Sequence, residues 1–186
     1  MKIACLGWGS LWWNPKDLLI DKQWNINGPL LPLEFCRQSG DGRLTLVINQ
    51  GSAPLKVLWS LMTTTDLDIA IESLRVREGI PKGRCDDYIG VISINDDPES
   101  TLVQQWLLEV GLDAVIWTNL PSKFNGVNGS TPSKEEAIGY LQNLEGENRK
   151  LAEEYIRKAP SQIMTEYRRV FEKELGWNYI DENNNV

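Results

Sequence analysis

An apolar run that ends at two glycines stands near the start of the chain, Lys2-Ile3-Ala4-Cys5-Leu6-Gly7-Trp8-Gly9-Ser10-Leu11. The run over residues 2–6 is short and is bounded by glycine, which predicts a buried strand. The two glycines let the backbone turn sharply and present N–H groups to an anion or a carboxylate. The same residues also fit a plain tight turn after a strand, and both interpretations stay open from the residues alone.

Two well-known phosphate-binding loops do not fit this segment. A dinucleotide-binding fingerprint needs a third glycine, and Trp12 stands in that position, where it would block close packing of helix on strand. A P-loop is excluded because no Gly-Lys-Ser/Thr follows. The neighbouring tryptophans, Trp8, Trp12 and Trp13, either cover the edge of the core or wall an apolar substrate pocket.

The rest of the chain shows strand patterns first and helical patterns later, which predicts an α+β fold. One helical stripe is formed by Leu67, Ile71 and Leu74, and another covers residues 102–110. In the C-terminal third, Pro132 is predicted at the first position of a helix. The strands are predicted over residues 2–6, 31–37, 43–48, 57–62, 88–94 and 114–118, and the later helices from 131 to Leu144, around 151–156 and over 165–175.

The composition excludes several kinds of chemistry. The 186 residues contain no histidine, which removes Ser-His-Asp and Cys-His nucleophilic sites as well as histidine-ligated zinc. The three cysteines, Cys5, Cys36 and Cys85, form no CxxC pair, so neither a disulfide framework nor a thiolate metal site is indicated. We therefore expect no metal, and we expect reduced thiols of the kind found in the cytoplasm.

The charge balance disfavours nucleic acid as a partner. With 26 acidic and 19 basic side chains the net charge is −7, whereas nucleic-acid binding needs Lys and Arg to neutralise phosphates. No stretch approaches the roughly 20 apolar residues of a membrane span, and the N-terminal run is too short for a signal peptide. We expect a cytoplasmic protein with no membrane partner, folded as a single domain over 1–186 with a polar tail at 181–186.

A second segment of interest is Leu74-Arg75-Val76-Arg77-Glu78-Gly79, where a helix is predicted to end. A carboxylate at this end of a helix is electrostatically unfavourable, because the carbonyl end of the helix dipole is negative. Arg75 and Arg77 can offset that effect. Taken alone, Glu78 fits a solvated surface residue as well as a catalytic one.

Taken in order, these segments resemble the γ-glutamylcyclotransferase-like superfamily. Residues 7–11 are similar to its Tyr-Gly-Ser-Leu loop after the first strand, with Trp8 where the family usually has tyrosine. Residues 74–79 match its L-x-x-x-E-G segment, so the resemblance puts the catalytic carboxylate on Glu78. Further similar segments are Leu33-Glu34-Phe35, residues 43–47, Val57-Leu58-Trp59 and, faintly, residues 160–167.

The resemblance implies a fold and a reaction. The fold would be a small mixed, β-barrel-like sheet of about six strands with flanking helices and a helical C-terminal third. In the reaction, the α-amine of a small γ-glutamyl substrate attacks its own γ-carbonyl and releases 5-oxoproline and an amine, with no metal or cofactor. Glu78 would be the general acid and base. The substrate's carboxylate or the developing oxyanion would be held by Gly7, Trp8, Gly9, Ser10 and Leu11.

The chain also departs from the compact members of this superfamily. The stretch at about 96–130 resembles nothing in them, which predicts an insertion that reshapes the substrate pocket. Trp8 is a second departure, inside the glycine loop itself. Both favour an alternative, a non-catalytic small-molecule-binding or regulatory protein on the same fold.

Overall fold

The structure is a computed structural model that describes residues 1–96 and 101–180. The predicted α+β class is confirmed, since mixed sheets are flanked by helices and one sheet curls into a half-barrel. The strands are β1 (Ile3–Gly7), β2 (Leu30–Gln38), β3 (Leu44–Ile48), β4 (Pro54–Lys56), β5 (Leu58–Leu61), β6 (Ile89–Ser93), β7 (Ala114–Thr118), β8 (Lys123–Phe124) and β9 (Val127–Asn128). The helices are α1 (Leu67–Glu78), α2 (Cys85–Tyr88), α3 (Leu102–Val110), α4 (Lys134–Gln142), α5 (Gly146–Lys158) and α6 (Glu166–Leu175).

The chain divides into two compact units, each with its own sheet. Unit 1 comprises Met1–Gly7, Asn14–Leu30 and Lys56–Leu120, whereas unit 2 comprises Trp8–Trp13, Leu31–Leu55 and Pro121–Val186. The predicted insertion at 96–130 contributes α3 and β7 to unit 1 and the short strands β8 and β9 to unit 2. The single domain stays a prediction, and the predicted tail at 181–186 lies outside the described residues.

Unit 1 is built on a four-stranded sheet in the order β5-β1-β7-β6. The central strand β1 is antiparallel to β5 and parallel to β7, with Cys5 opposite Ile116, and all of its residues are buried. Helix α1 packs against β6 and β7, and α3 packs against β6. The indoles of Trp59 on β5 and Trp106 on α3 meet edge to face at 5.6 Å. The apolar run at the start of the chain is thus a buried central strand, as predicted.

Unit 2 is built on a second mixed sheet in the order β3-β2-β8-β9, with β4 also paired to β2. Helix α5 packs on β3, and α4 packs on α6. Phe35 from β2 meets Tyr155 and Phe171 edge to face at 6.3 and 5.7 Å. The guanidinium of Arg168 is fully buried and donates to the carbonyl of Pro160 at 2.7 Å. The core of this unit therefore combines aromatic packing with one buried cation.

Each predicted strand end lies within one residue of the observed end, whereas β4, β8, β9 and α2 are not predicted and some helix ends differ. Pro132 is not the first residue of α4, because Ser133 caps that helix in a capping box with Glu136. Helix α4 also ends before Leu144, which had been assigned to its apolar face. Tyr88 closes the short helix α2 instead of opening β6. Among the described residues, no helix combines the length and the apolar character needed to cross a membrane.

Candidate active site

The glycine loop starts at the carboxyl end of β1. Gly7 is buried and is the last residue of that strand, where it lies opposite Leu58 of β5. A tight turn follows, closed by a hydrogen bond of 2.9 Å from the amide of Trp12 to the carbonyl of Gly9. The sharp change of direction expected from the two glycines is therefore present.

The residues after Gly7 pack into unit 2. The indole of Trp8 is 6% exposed and donates to the carbonyl of Leu46 at 3.3 Å. A Cβ on Gly9 would lie 2.3 Å from the hydroxyl oxygen of Tyr155, so only glycine fits there. Leu11 is buried as well. In unit 2, Trp8 covers core, and Gly9 is required by the close approach of a tyrosine.

Glu78 is the last residue of α1 in unit 1. The helix ends at Gly79, which adopts the left-handed conformation with φ 67°. The Glu78 side chain is only 16% exposed, and its Oε1 lies 2.7 Å from Nη1 of Arg77. Arg77 also donates through Nη2 to the carbonyl of Asn14 at 2.7 Å. The carboxylate is therefore half-buried and paired with an anchored guanidinium, unlike a solvated surface residue.

Two observations place Glu78 beside the end of β1. Helix α1 follows β5, which is antiparallel to β1, and it begins where the N-terminal ammonium of Met1 donates to the carbonyl of Thr65. It therefore runs back along the direction of β1 and ends near the carboxyl end of that strand. In agreement, burial and then the charge of Glu78 raise the pKa of the Cys5 thiol in β1 to about 12.

Thr118 lies at the same edge of the unit 1 sheet as Gly7, and the sequence does not predict it as a site residue. It ends β7, the parallel neighbour of β1, and the register that sets Cys5 opposite Ile116 brings Thr118 level with Gly7. Its hydroxyl is buried and has no hydrogen-bond partner among the described residues. Side chains alternate along a strand, so Thr118 is on the same face of the sheet as Ile116 and as Cys5 opposite it. This is the face on which the charge of Glu78 raises the pKa of Cys5. No sequence pattern could reveal this, since the pairing joins residues more than 100 positions apart.

The sequence-predicted site residues are thus distributed over both units. Gly7 and Glu78 lie in unit 1 at the edge of the sheet that also carries Thr118. Trp8, Gly9, Ser10 and Leu11 lie in unit 2. Their part in binding a substrate stays a prediction.

Unit 2 contains a second buried carboxylate, Glu34, at a position where the sequence pattern predicts only a strand. Glu34 is 2% exposed and lines a cavity of about 330 Å³. It accepts hydrogen bonds from the amides of Phe35 at 2.9 Å and Tyr167 at 3.2 Å and from the hydroxyl of Thr165. Burial nevertheless raises its pKa. The signal for it was an acidic residue inside the apolar run of β2.

A larger groove, of about 570 Å³, lies in unit 1 on the outer side of α1. Neither this groove nor the unit 2 cavity is lined by Glu78 or by residues 7–11. Within 1–96 and 101–180, no cluster of three acidic or cysteine side chains is arranged to hold a metal ion.

No family model matches the chain, and no curated protein or solved structure matches it either.

Proposed function

We propose that the chain is a γ-glutamylcyclotransferase-type enzyme acting on a small γ-glutamyl compound. The observation that carries the proposal is the position of Glu78. The carboxylate selected by the sequence motif lies half-buried beside the end of β1, where the glycine loop begins. A half-buried, anchored carboxylate beside the end of such a strand suits this chemistry.

The reaction needs one group that moves protons in both directions. The substrate's α-amine attacks its γ-carbonyl carbon, a C–N bond forms to close the five-membered ring, and the bond to the leaving amine breaks. The α-ammonium first loses one proton to solvent; Glu78 takes the second proton from the attacking amine as the C–N bond forms and returns it to the departing nitrogen, so the enzyme ends in its starting state. Such acid–base assistance contributes about 10²–10⁴-fold. Holding the two ends of one molecule together supplies further rate, up to effective molarities of about 10⁵–10⁸ M.

The neighbours of Glu78 have separate roles in this proposal. Arg77 holds Oε1 and fixes the orientation of the carboxylate, which leaves the proton transfers to Oε2. The buried hydroxyl of Thr118 supplies a hydrogen bond to the substrate at the same edge. Gly7 has no side chain and lets the substrate approach the end of β1. A chain without histidine can perform every one of these steps.

The Arg77–Glu78 ion pair also favours a second candidate, a binding protein without catalysis. In that case the pair would stay closed and the pocket would only hold a γ-glutamyl ligand. The two candidates differ in turnover, because a binding protein releases its ligand unchanged.

The deciding experiment is an assay of 5-oxoproline release from γ-glutamyl amines and glutathione. We expect turnover by the natural chain and a loss of about 10²–10⁴-fold in kcat with Glu78→Gln, which keeps the shape and removes the base. Glu109→Gln is the matched control, because Glu109 is also a glutamate near a helix end before a left-handed glycine, Gly111, and is exposed. Binding without turnover would establish the second candidate, and activity that survives Glu78→Gln would refute the assignment of the base.

A further inference from the structure

The cavity of unit 2 is not used by the proposed reaction, and all of its lining residues belong to that unit. Its volume of about 330 Å³ is that of a pocket for a small ligand. Its polar walls come from two places, the strand β2 with the residues that follow β3, and the first turns of α6. Polar groups that converge on such a cavity indicate the chemistry of the ligand that it can hold.

The inner end of the cavity is formed by Glu34, which lines it and is only 2% exposed. A carboxylate has about four acceptor positions. Three of them are taken by the amides of Phe35 and Tyr167 and by the hydroxyl of Thr165. These neutral donors do not compensate for burial, since the pKa of Glu34 is still raised. The described residues therefore leave one acceptor position for a donor in the cavity, and a positively charged donor suits it best.

Asn49 lines the same cavity and adds a second acceptor. Its backbone amide donates to the carbonyl of Pro32 at 2.8 Å, which extends the pairing in which Glu34 lies opposite Val47. Because side chains alternate along a strand, Asn49 and Glu34 share one face of the sheet. The side-chain nitrogen of Asn49 donates to the hydroxyl of Ser52 at 3.0 Å, and its Oδ1 accepts no hydrogen bond from the described residues. A primary ammonium group, with three N–H donors, can bind the carboxylate and this amide oxygen together.

Arg169 supplies a positive charge at the mouth of the cavity, which it lines with an exposed side chain. It follows Thr165 by four residues, so it lies on the side of α6 that faces Glu34. Its guanidinium has no ion pair within 1–96 and 101–180, whereas Glu166 on the same wall is already paired with Lys134. Arg169 is therefore available for a carboxylate, which a guanidinium can hold by two parallel hydrogen bonds.

We propose that the unit 2 cavity binds an α-amino acid with an apolar side chain. The ammonium group is held by Glu34 and Asn49 at the inner end, and the carboxylate is held by Arg169 at the mouth. The apolar side chain of the ligand contacts Leu55 and Met164, which line the same cavity. Such a ligand has about ten non-hydrogen atoms, so we expect a dissociation constant of about 10 μM to 1 mM. The inference does not depend on the proposed reaction, because the residues assigned to that reaction do not line the cavity.

The first test compares three probes by isothermal titration calorimetry on the full chain. L-Leucine carries both charges, leucinamide lacks the carboxylate, and N-acetyl-L-leucine lacks the ammonium group. L-Leucine should bind, and each of the other two should bind about tenfold more weakly, because each loses one charge-assisted interaction. The proposal is overturned if neither L-leucine nor L-methionine binds at concentrations up to about 10 mM. It is also overturned if either altered probe binds as tightly as L-leucine.

The second test assigns the two charges to their residues. Arg169→Met should weaken the binding of L-leucine by about tenfold and leave that of leucinamide unchanged, because only the carboxylate loses its partner. Glu34→Gln should weaken the binding of both probes, since both carry the ammonium group. Lys173→Met is the matched control, because Lys173 is exposed one turn further along α6 and does not line the cavity.

Circular dichroism establishes that each variant is folded. Arg169 is exposed, so Arg169→Met tests the proposal even if Glu34→Gln does not fold. An affinity for L-leucine that survives Arg169→Met, or that falls equally with Lys173→Met, would refute the carboxylate site. A folded Glu34→Gln variant that binds leucinamide as the natural chain does would refute the ammonium site.

Discussion

Each unit holds a carboxylate at a helix end, and the two are held in opposite ways. Glu78 ends α1 and is bound by the guanidinium of Arg77 at one oxygen, Oε1. Glu34 faces the start of α6, and both of its oxygens accept from neutral donors, the amides of Phe35 and Tyr167. Glu34, occupied at both oxygens, joins two elements, whereas Glu78 is held at Oε1 and the proposed function assigns proton transfer to its other oxygen. In the proposed function the more deeply buried acid, Glu34, is therefore the structural one.

The largest expected effect is on catalysis, and it distinguishes the roles of the two carboxylates. Glu78→Gln should lower 5-oxoproline release by about 10²–10⁴-fold, while Glu34→Gln should leave kcat within about threefold, because the proposed function assigns the proton transfers of the reaction to Glu78. Both substitutions keep side-chain shape, so steady-state kinetics on the two variants separates chemistry from packing. If Glu34→Gln removes the activity and Glu78→Gln does not, the unit 2 cavity is the catalytic one and the comparison is reversed.

The next effect concerns the cation that holds Glu78. Arg77→Met removes two charged hydrogen bonds, one to Glu78 and one to the carbonyl of Asn14, so we expect a loss of about 1.5–3 kcal/mol in the free energy of unfolding. Urea denaturation measures it. Lys150→Met is the control, because the Lys150–Glu147 pair is more than 70% exposed at both residues and should contribute less than about 0.5 kcal/mol. Equal losses in the two variants would mean that Arg77 does not anchor the carboxylate.

The neutral donors of Glu34 give a smaller effect. The hydroxyl of Thr165 donates to Glu34 and accepts from the amide of Arg168 at 3.1 Å, so it caps α6 and satisfies the acid at once. We expect Thr165→Ala to lower the free energy of unfolding by about 1–2 kcal/mol, and Thr165→Ser to restore most of it. Chemical denaturation of the three proteins distinguishes loss of the hydroxyl from loss of the methyl group. A serine variant as unstable as the alanine variant would contradict this role.

The fold could be predicted further than the site. The apolar run at residues 2–6, the glycines that end α1, α3 and α6, and the change from strands to helices are local patterns, and local patterns determine local structure. The strands β8 and β9 have two residues each, too few to show alternation. Thr118 reaches the end of β1 only through a pairing between distant segments, which no local pattern encodes.

The two carboxylates show the same limit. The sequence points to Glu78 through the resemblance of residues 74–79 to a family segment at a predicted helix end, and its role in a site stays a prediction. Glu34 was recorded as part of a strand, because its partner helix α6 lies more than 130 residues further along the chain. The position of Glu34 between Leu33 and Phe35 in an apolar run predicts that the acid is buried, but it does not predict which groups the acid binds. The chain passes from unit 1 to unit 2 directly after Gly7, inside the glycine loop. The composition does not predict this boundary, because no linker marks it.

The smallest expected effect is the pH dependence that Glu34 gives to stability. Burial raises its pKa in the folded state above the ordinary value of 4.5. Between those two values the unfolded chain has lost the proton and the folded chain still holds it, so the contribution of Glu34 to stability is full below pH 4.5 and is lost as pH rises through the folded pKa. The loss amounts to about 1.4 kcal/mol for each unit by which the pKa is raised.

The variant Glu34→Gln has no titratable group at this position and keeps every other acidic residue of the natural chain. The difference in the free energy of unfolding between the two proteins, measured against pH, therefore isolates the effect of Glu34. We expect the natural chain to lose stability relative to Glu34→Gln as the pH rises above 4.5; a relative gain would mean that the three donors outweigh burial and that Glu34 is held in its charged form.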